Sequence, residues 1–276
     1  MFYLFKNFTQ MKILLNKTSL TKSLRQFSDI GFVPTMGSIH KGHLSLIRRS
    51  NQICSKTVVS IFVNPKQFNN KKDYLNYPRS LNKDLSILKN LKVDYVFIPN
   101  KKEIFSFKPK NNIYLDNFSK KLCGSSRKGH FEGVLNIINR LLEIINPKRI
   151  LLGAKDYQQL YLIKRHISKK GIKTLVVKCN TIREKNGMAC STRNKLLNKK
   201  QMRIGSKIYY YLNRLKKRPV LKINKMKEDI KNLGARKIDY LEIYNLKTHK
   251  KANLVNKNTK IFIAYYLDSI RLIDNY

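Results

Sequence analysis

Apolar residues in this chain fall into two recurring patterns. Val58–Val63 and Ile261–Tyr266 are near-continuous apolar runs of strand length, as expected for strands covered on both faces. Other apolar residues recur at helical spacing. From His43 to Cys54, Leu44, Ile47 and Ile53 fall on a helical period; from Arg79 to Leu91 so do Leu81, Leu85, Leu88 and Leu91. His130–Ile145 is the clearest amphipathic helix, stopped by Asn146–Pro147. The same pattern predicts strands at 31–36 (GFVPTM), Asp94–Ile98, Arg149–Leu152 and Lys173–Lys178, and a helix over Asp156–Lys170 ending at Gly171. The loop-rich stretch 100–128 carries one further predicted strand, Ile113–Leu115.

Up to about residue 180 strands and helices alternate, which implies an α/β, Rossmann-like, doubly wound parallel sheet. Beyond 181 the rhythm changes: 201–216 and 223–232 read as helices, Tyr240–Leu246 and Lys260–Tyr265 as strands. The expected organisation is a larger domain over 1–180 and a smaller α+β domain over 181–276. Residues 1–10 read as a short extension or a misplaced start, because the chain from Met11 (MKILL) reads as an ordinary enzyme beginning. The first segment is too short and polar for a secretory signal, and no run approaches the roughly 18 apolar residues that span a bilayer. A cytoplasmic protein without a membrane span is expected.

Composition changes this picture in one respect. Lys and Arg number 58 against 16 Asp and Glu, a net charge of 58 − 16 = +42. Such a balance points first to nucleic acid. The lysines, however, are scattered through every segment, and Lys, Asn, Ile, Phe and Tyr are abundant while Trp is absent, which fits a drift toward A/T-rich codons. The charge therefore reads as a whole-chain bias that also favours anionic substrates, with no specific nucleic-acid partner. The four cysteines form no CxxC pair and have no histidine at zinc-finger spacing, so reduced structural thiols and no protein-held metal are expected.

The strongest local signal for chemistry is PTMGSIHKGH, residues 34–43. His40 and His43 lie three apart across a predicted helix start, with Gly37 and Gly42 beside them. Glycine lets a nucleotide approach the backbone, helix-start amides face phosphates, and imidazoles there donate to phosphate oxygens as charge develops. A zinc half-site is the competing reading, but no HExxH glutamate and no third ligand at standard spacing supports it.

HxGH after a strand resembles the signature of the nucleotidyl-transferring Rossmann-like enzymes. The longer string FVPTMGSIHKGHLSLI is similar to one family among them, the pantothenate synthetases (pantoate–beta-alanine ligases). VVSIFVNPKQF (58–68), YPR (77–79), RKGHFEGV (127–134), GAKDYQQL (153–160), STRN (191–194) and RLIDN (271–275) agree with it in the same order, so the resemblance covers 11–276.

That resemblance implies the following roles. His40 and His43 contact the ATP phosphates, and Pro34, Thr35, Met36 and Gly37 line the nucleotide and pantoate site, with Gly42 beside them. Gln67 and Gln159 hold pantoate with Asn64 nearby, while Met36 and Phe68 pack its gem-dimethyl group. Lys155 binds the phosphates, and Gly153 and Asp156 lie toward the ribose. Arg193 clamps the outer phosphates with Ser191 assisting, in a loop that includes Lys185; Ile182, Cys190 and Thr192 are further nucleotide contacts. Arg127 and His130 are additional polar residues of the substrate site. Ala154, Asn186, Thr192 and Asp268 depart from the family pattern, which bears on rate more than on the reaction.

The implied reaction forms pantoyl adenylate from pantoate and ATP with Mg²⁺, then transfers the acyl group to beta-alanine. Closure of the second domain over the adenylate and a homodimer formed through the larger domain belong to the same expectation. The alternatives are a related nucleotidyltransferase acting on another small acid, a nucleic-acid-binding module driven by charge, and a decayed non-catalytic homologue. The first leaves both glutamine motifs and the tail unexplained. The second lacks a basic-aromatic motif, and the third conflicts with the retention of every expected phosphate-site polar residue.

Overall fold

The computed structural model describes residues 10–68, 71–216, 220 and 222–276. Apart from Gln10, the proposed extension 1–10 lies outside them. The chain forms two compact units: Met1–Asp116, Gly129–Ala154 and Gln159–Asn180 in the first, Asn117–Lys128, Lys155–Gln158 and Thr181–Tyr276 in the second.

The first unit is built on β1 (Lys12–Leu14), β2 (Ile30–Thr35), β3 (Lys56–Ile61), β4 (Tyr95–Phe97), β5 (Arg149–Gly153) and β6 (Leu175–Cys179). Among the described residues these make one parallel sheet in the order β1-β4-β3-β2-β5-β6. Side-chain alternation explains the continuous apolar runs. Phe32, Val58 and Ile150 enter one core with Leu135 and Ile163, while their neighbours Val33, Val59 and Leu151 enter another with Ile47 and Leu88. Each such fully buried side chain contributes about 1.5–3 kcal/mol. The chain winds outward from β2 through β3 to β4, then returns to place β5 on the other side of β2. The switch point, where open α/β sheets take ligands, therefore lies beyond the carboxyl ends of β2 and β5.

Helix 130–145 has the bounds its periodicity predicts. Three local expectations are corrected. Ile113–Leu115 is not a strand: the Tyr114 N–H donates to His166 Nδ1 at 3.1 Å instead of a ladder partner, and both flanking side chains pack on the core. Residues Ala154–Asp156 form a 3₁₀ turn, so the following helix starts at Tyr157. The last strand of the sheet starts at Leu175, after the Thr174 hydroxyl has bonded the Pro147 carbonyl at 2.7 Å.

The second unit carries an antiparallel sheet of β7 (Lys237–Asn245), β8 (Thr259–Leu267) and β9 (Ile270–Asn275), with β8 in the middle. Leu241, Ile243, Ile261, Ile263 and Leu272 pack with Ile208 and Leu212 of helix Lys199–Leu215 and with Met226 and Ile230 of helix Ile223–Asn232. The other face holds Tyr244 and Phe262, against which Phe118 and Tyr157 are set. Gln158 completes this layer: its Nε2 donates to Phe118 O and Lys121 O, and its Oε1 accepts from the Cys123 N–H. These contacts explain why 117–128 and 155–158 group with the second unit. The β8–β9 turn holds Asp268 at φ 50°, a left-handed conformation that glycine adopts freely and Asp tolerates.

Candidate active site

In the first unit, β2 ends at Thr35, whose hydroxyl donates to Ser60 O at 2.7 Å and accepts from the Gly37 N–H at 3.1 Å. Gly37 has φ 75°, which only glycine adopts without strain, and a Cβ there would meet Asp84 Oδ2 at 3.0 Å. The turn then runs into helix Lys41–Ile53 with His40 as its N-cap. His40 Nδ1 accepts from the Gly42 N–H at 3.1 Å, and His43 Nδ1 accepts from the His40 N–H at 3.4 Å. Each neutral ring therefore carries its proton on Nε2. The rings stack with centroids 3.9 Å apart. No acidic residue occupies the first turn of the helix, so its positive end is uncompensated from within.

Asp84 was not singled out by the sequence, yet it holds this turn. It is 2% exposed, and its two carboxylate oxygens accept the Ser38 and Ile39 N–H groups at 2.7 and 2.8 Å. The available signal was an acid on the apolar face of a leucine-rich helix in an acid-poor chain.

Beyond β3, Asn64 caps the short turn Pro65–Gln67 and donates to Gly133 O at 2.9 Å. Gln67 Nε2 donates to Met36 Sδ at 2.8 Å, which joins the β2 and β3 motifs directly. The Gln67 carbonyl accepts from His130 Nδ1 at 2.8 Å, which fixes the opposite tautomer from that of His40 and His43. Gly133 is needed where it stands, since a Cβ would lie 2.4 Å from Lys66 O. Phe68 packs edge-on against Tyr74 and Tyr77. Pro34 lies in β2, Gly153 ends β5, and Gln159 is half-buried in the helix that follows. The first unit thus joins Thr35 to Gly37, His40 to Gly42 and His43, and Met36, Asn64 and His130 to Gln67.

The second unit holds the remaining predicted residues. Lys155 lies in the turn after β5, its ammonium 3.7 Å from the Asp156 carboxylate. Arg127 follows the helical turn Cys123–Ser126. Ile182 and Cys190 face each other across a hairpin, the Cys190 N–H donating to Ile182 O at 2.9 Å, and the Cys190 thiol lies 3.2 Å from Glu184 Oε1. Asn186 caps the hairpin tip by accepting the Met188 N–H. Ser191 Oγ accepts the Arg193 N–H at 3.3 Å and starts a 3₁₀ turn over Thr192–Leu196, with Thr192 buried.

Compared with known sequences, the chain matches the family described as pantoate-beta-alanine ligase over residues 4–276. The chain belongs to that family. A pantothenate synthetase of Fervidobacterium nodosum is 37% identical over 95% of this chain and 94% of its own length. One from Caldicellulosiruptor saccharolyticus is 38% identical over 96% of each. Among solved structures, a pantothenate synthetase of Thermus thermophilus superposes with a TM-score of 0.90 at 30% identity, covering 96% of this chain and 99% of that one. A pantoate-beta-alanine ligase of Francisella tularensis, complexed with beta-gamma ATP and beta-alanine, gives 0.85 at 36% identity, covering 96% and 97%. The pantoate-beta-alanine ligase fold thus accounts for both units, the parallel sheet and the small antiparallel one.

Proposed function

We propose that this chain ligates pantoate to beta-alanine in an ATP-dependent reaction through a pantoyl-adenylate intermediate. The observation that carries the reading is its membership of the pantoate-beta-alanine ligase family over nearly the whole chain. The nucleotide- and beta-alanine-bound relative from Francisella tularensis supports the two substrates named.

In the first step the pantoate carboxylate attacks the α-phosphorus of ATP and pyrophosphate leaves. A carboxylate is ionised at neutral pH, so the step needs alignment and charge neutralisation, not a general base. His40 and His43 are assigned to donate from Nε2 to phosphate oxygens, a role supported by the tautomers their Nδ1 bonds impose. Lys155 and Arg193 are assigned to the phosphates as cations, with Ser191 holding the Arg193 turn. Gln67 and Gln159 are assigned to pantoate, since a carboxamide donates to carboxylate and accepts from hydroxyl at once. In the second step the neutral amine of beta-alanine attacks the acyl carbon and AMP leaves.

Magnesium is assigned to the ATP phosphates, where it supplies charge neutralisation. Among the described residues no three His, Cys, Asp or Glu side chains are grouped to hold it. A cytoplasmic homodimer completes the proposal. The four cysteines form no disulfide among the described residues, which suits a reducing compartment. No helix of the described residues is long and apolar enough to cross a membrane.

The test is pyrophosphate exchange into ATP with Mg²⁺, with and without pantoate, in the absence of beta-alanine. Exchange that depends on pantoate is expected; none with pantoate present refutes the reading. His43→Ala and Lys155→Ala are each expected to lower the exchange rate by at least about tenfold.

A further inference from the structure

The tail RLIDN has no part in the reaction as described, yet its last two residues reach two of the segments assigned to ATP. β9 is no frayed terminus. Asp274 is in register with Ile263 and Asn275 with Phe262, and Ile261 and Tyr276 exchange both backbone hydrogen bonds at 3.0 and 2.9 Å. On a strand, successive side chains point to opposite faces, so Asp274 and Asn275 reach in opposite directions from one rigid position.

On one side, Asp274 accepts both terminal nitrogens of Arg183 at 2.7 and 3.1 Å, a planar fork-to-fork pair. The same guanidinium donates to Gly187 O at 3.1 Å and lies over the rings of Tyr209 and Tyr276 at 4.7 and 5.2 Å. Gly187 has φ 84°, and a Cβ there would lie 2.0 Å from the Tyr209 ring. Arg183 thus closes the hairpin from inside. The returning arm of that hairpin, bridged at Arg183 and Ala189, continues directly into Ser191 and Arg193. On the other side, Asn275 Nδ2 donates to the Lys155 carbonyl at 2.7 Å, and Asn275 is 4% exposed.

We propose that Asp274 and Asn275 are positioning residues that fix the Lys155 turn and the Ser191–Arg193 loop in a common register on β9. The inference rests on the assignment of Lys155, Ser191 and Arg193 to the phosphates; it adds the element that keeps their backbones in place. Both cations stand on short 3₁₀ turns, which have no sheet ladder of their own. Long, rotamer-rich side chains stabilise charge in a transition state only when their stems are held. One strand end supplies that anchor to both.

The experiment uses the full chain in pantoate-dependent pyrophosphate exchange, with a thermal melt to confirm folding. Asn275→Ala and Asn275→Leu both remove the donor to Lys155, the second keeping the branched shape without opening a cavity. Each is expected to lower kcat by roughly tenfold while KM for pantoate moves by less than about twofold. The deciding readout is coupling. In a Lys155→Ala background, Asn275→Ala is expected to cost less than about twofold further, because its effect passes through Lys155. A full multiplicative loss in the double variant, or single variants within about twofold of wild type, overturns the proposal. Should the Asn275 variants not fold, Arg183→Lys paired with Arg193→Ala applies the same test to the other arm, with the same two outcomes. Lys155→Ala with an undiminished rate would instead refute the assignment of Lys155 itself, which keeps the two failures apart.

Discussion

His40 serves the fold through Nδ1, which accepts from the Gly42 N–H, and that bond puts the proton of the neutral ring on Nε2. Capping and phosphate contact can therefore be separated. Asn is a good N-cap, so His40→Asn is expected to keep the melting behaviour within about 0.5 kcal/mol while exchange falls at least about tenfold. An exchange rate near wild type would mean that the ring serves only the cap. The place of this pair at a strand-to-helix junction was legible in the sequence, because an apolar strand run ends just before it and a helical period starts just after it. Asp84 was not, because its partners Ser38 and Ile39 lie far off in sequence and bind it through backbone N–H groups, which no side-chain pattern announces. The positions expected to depart from the family pattern divide in the same way. Asp268 stands where its left-handed φ is tolerated, and Asn186 caps a hairpin. Nothing in the structure explains Ala154.

Elements were legible where periodicity is long and cleanly ended. Helix 130–145 runs from a left-handed Gly129 to a left-handed Asn146, and its apolar face is buried along its length. The three-residue run Ile113–Leu115 misled because apolar residues in a short loop pack on a core as readily as in a strand; here His166 took the backbone donor that a ladder needs. The segments 117–128 and 155–158 carry no signal of their allegiance to the small sheet, since Gln158 and Tyr157 reveal their partners only in three dimensions. Within helix 130–145, Gly133 offers a test at this scale. A methyl group there meets backbone atoms of Lys66 at 2.4 and 2.7 Å, which cannot swing aside as a side chain would. Gly133→Ala is expected to destabilise by about 1–3 kcal/mol and to displace the turn that carries Gln67. The proposed function then requires KM for pantoate to rise more than KM for ATP in steady-state assays; an equal rise in both would detach Gln67 from pantoate.

For the whole molecule, charge and pH act through different groups. His166 is fully buried, and its Nδ1 accepts from the Tyr114 N–H while Nε2 faces Asn139 Oδ1 at 3.0 Å. Protonation would set one N–H against another, and burial, with Lys170 nearby, pushes the imidazole down to about 4 from 6.5. Between those two values the unfolded chain binds a proton that the folded chain does not, so stability is lost as pH falls through that window, by about 3 kcal/mol in all. Urea midpoints at pH 7 and pH 5 check this; His166→Gln is expected to flatten the difference. The net charge of +42 acts between molecules. Two copies of so basic a chain repel one another, and salt shortens the range of that repulsion from roughly 30 Å at 0.01 M to about 8 Å at 0.15 M. If the proposed homodimer forms, sedimentation velocity is expected to show the dimer fraction rising with salt at fixed protein concentration. A dimer that weakens with salt would place its stability in ion pairs across the interface, and a monomer at every ionic strength would remove the homodimer from the proposal.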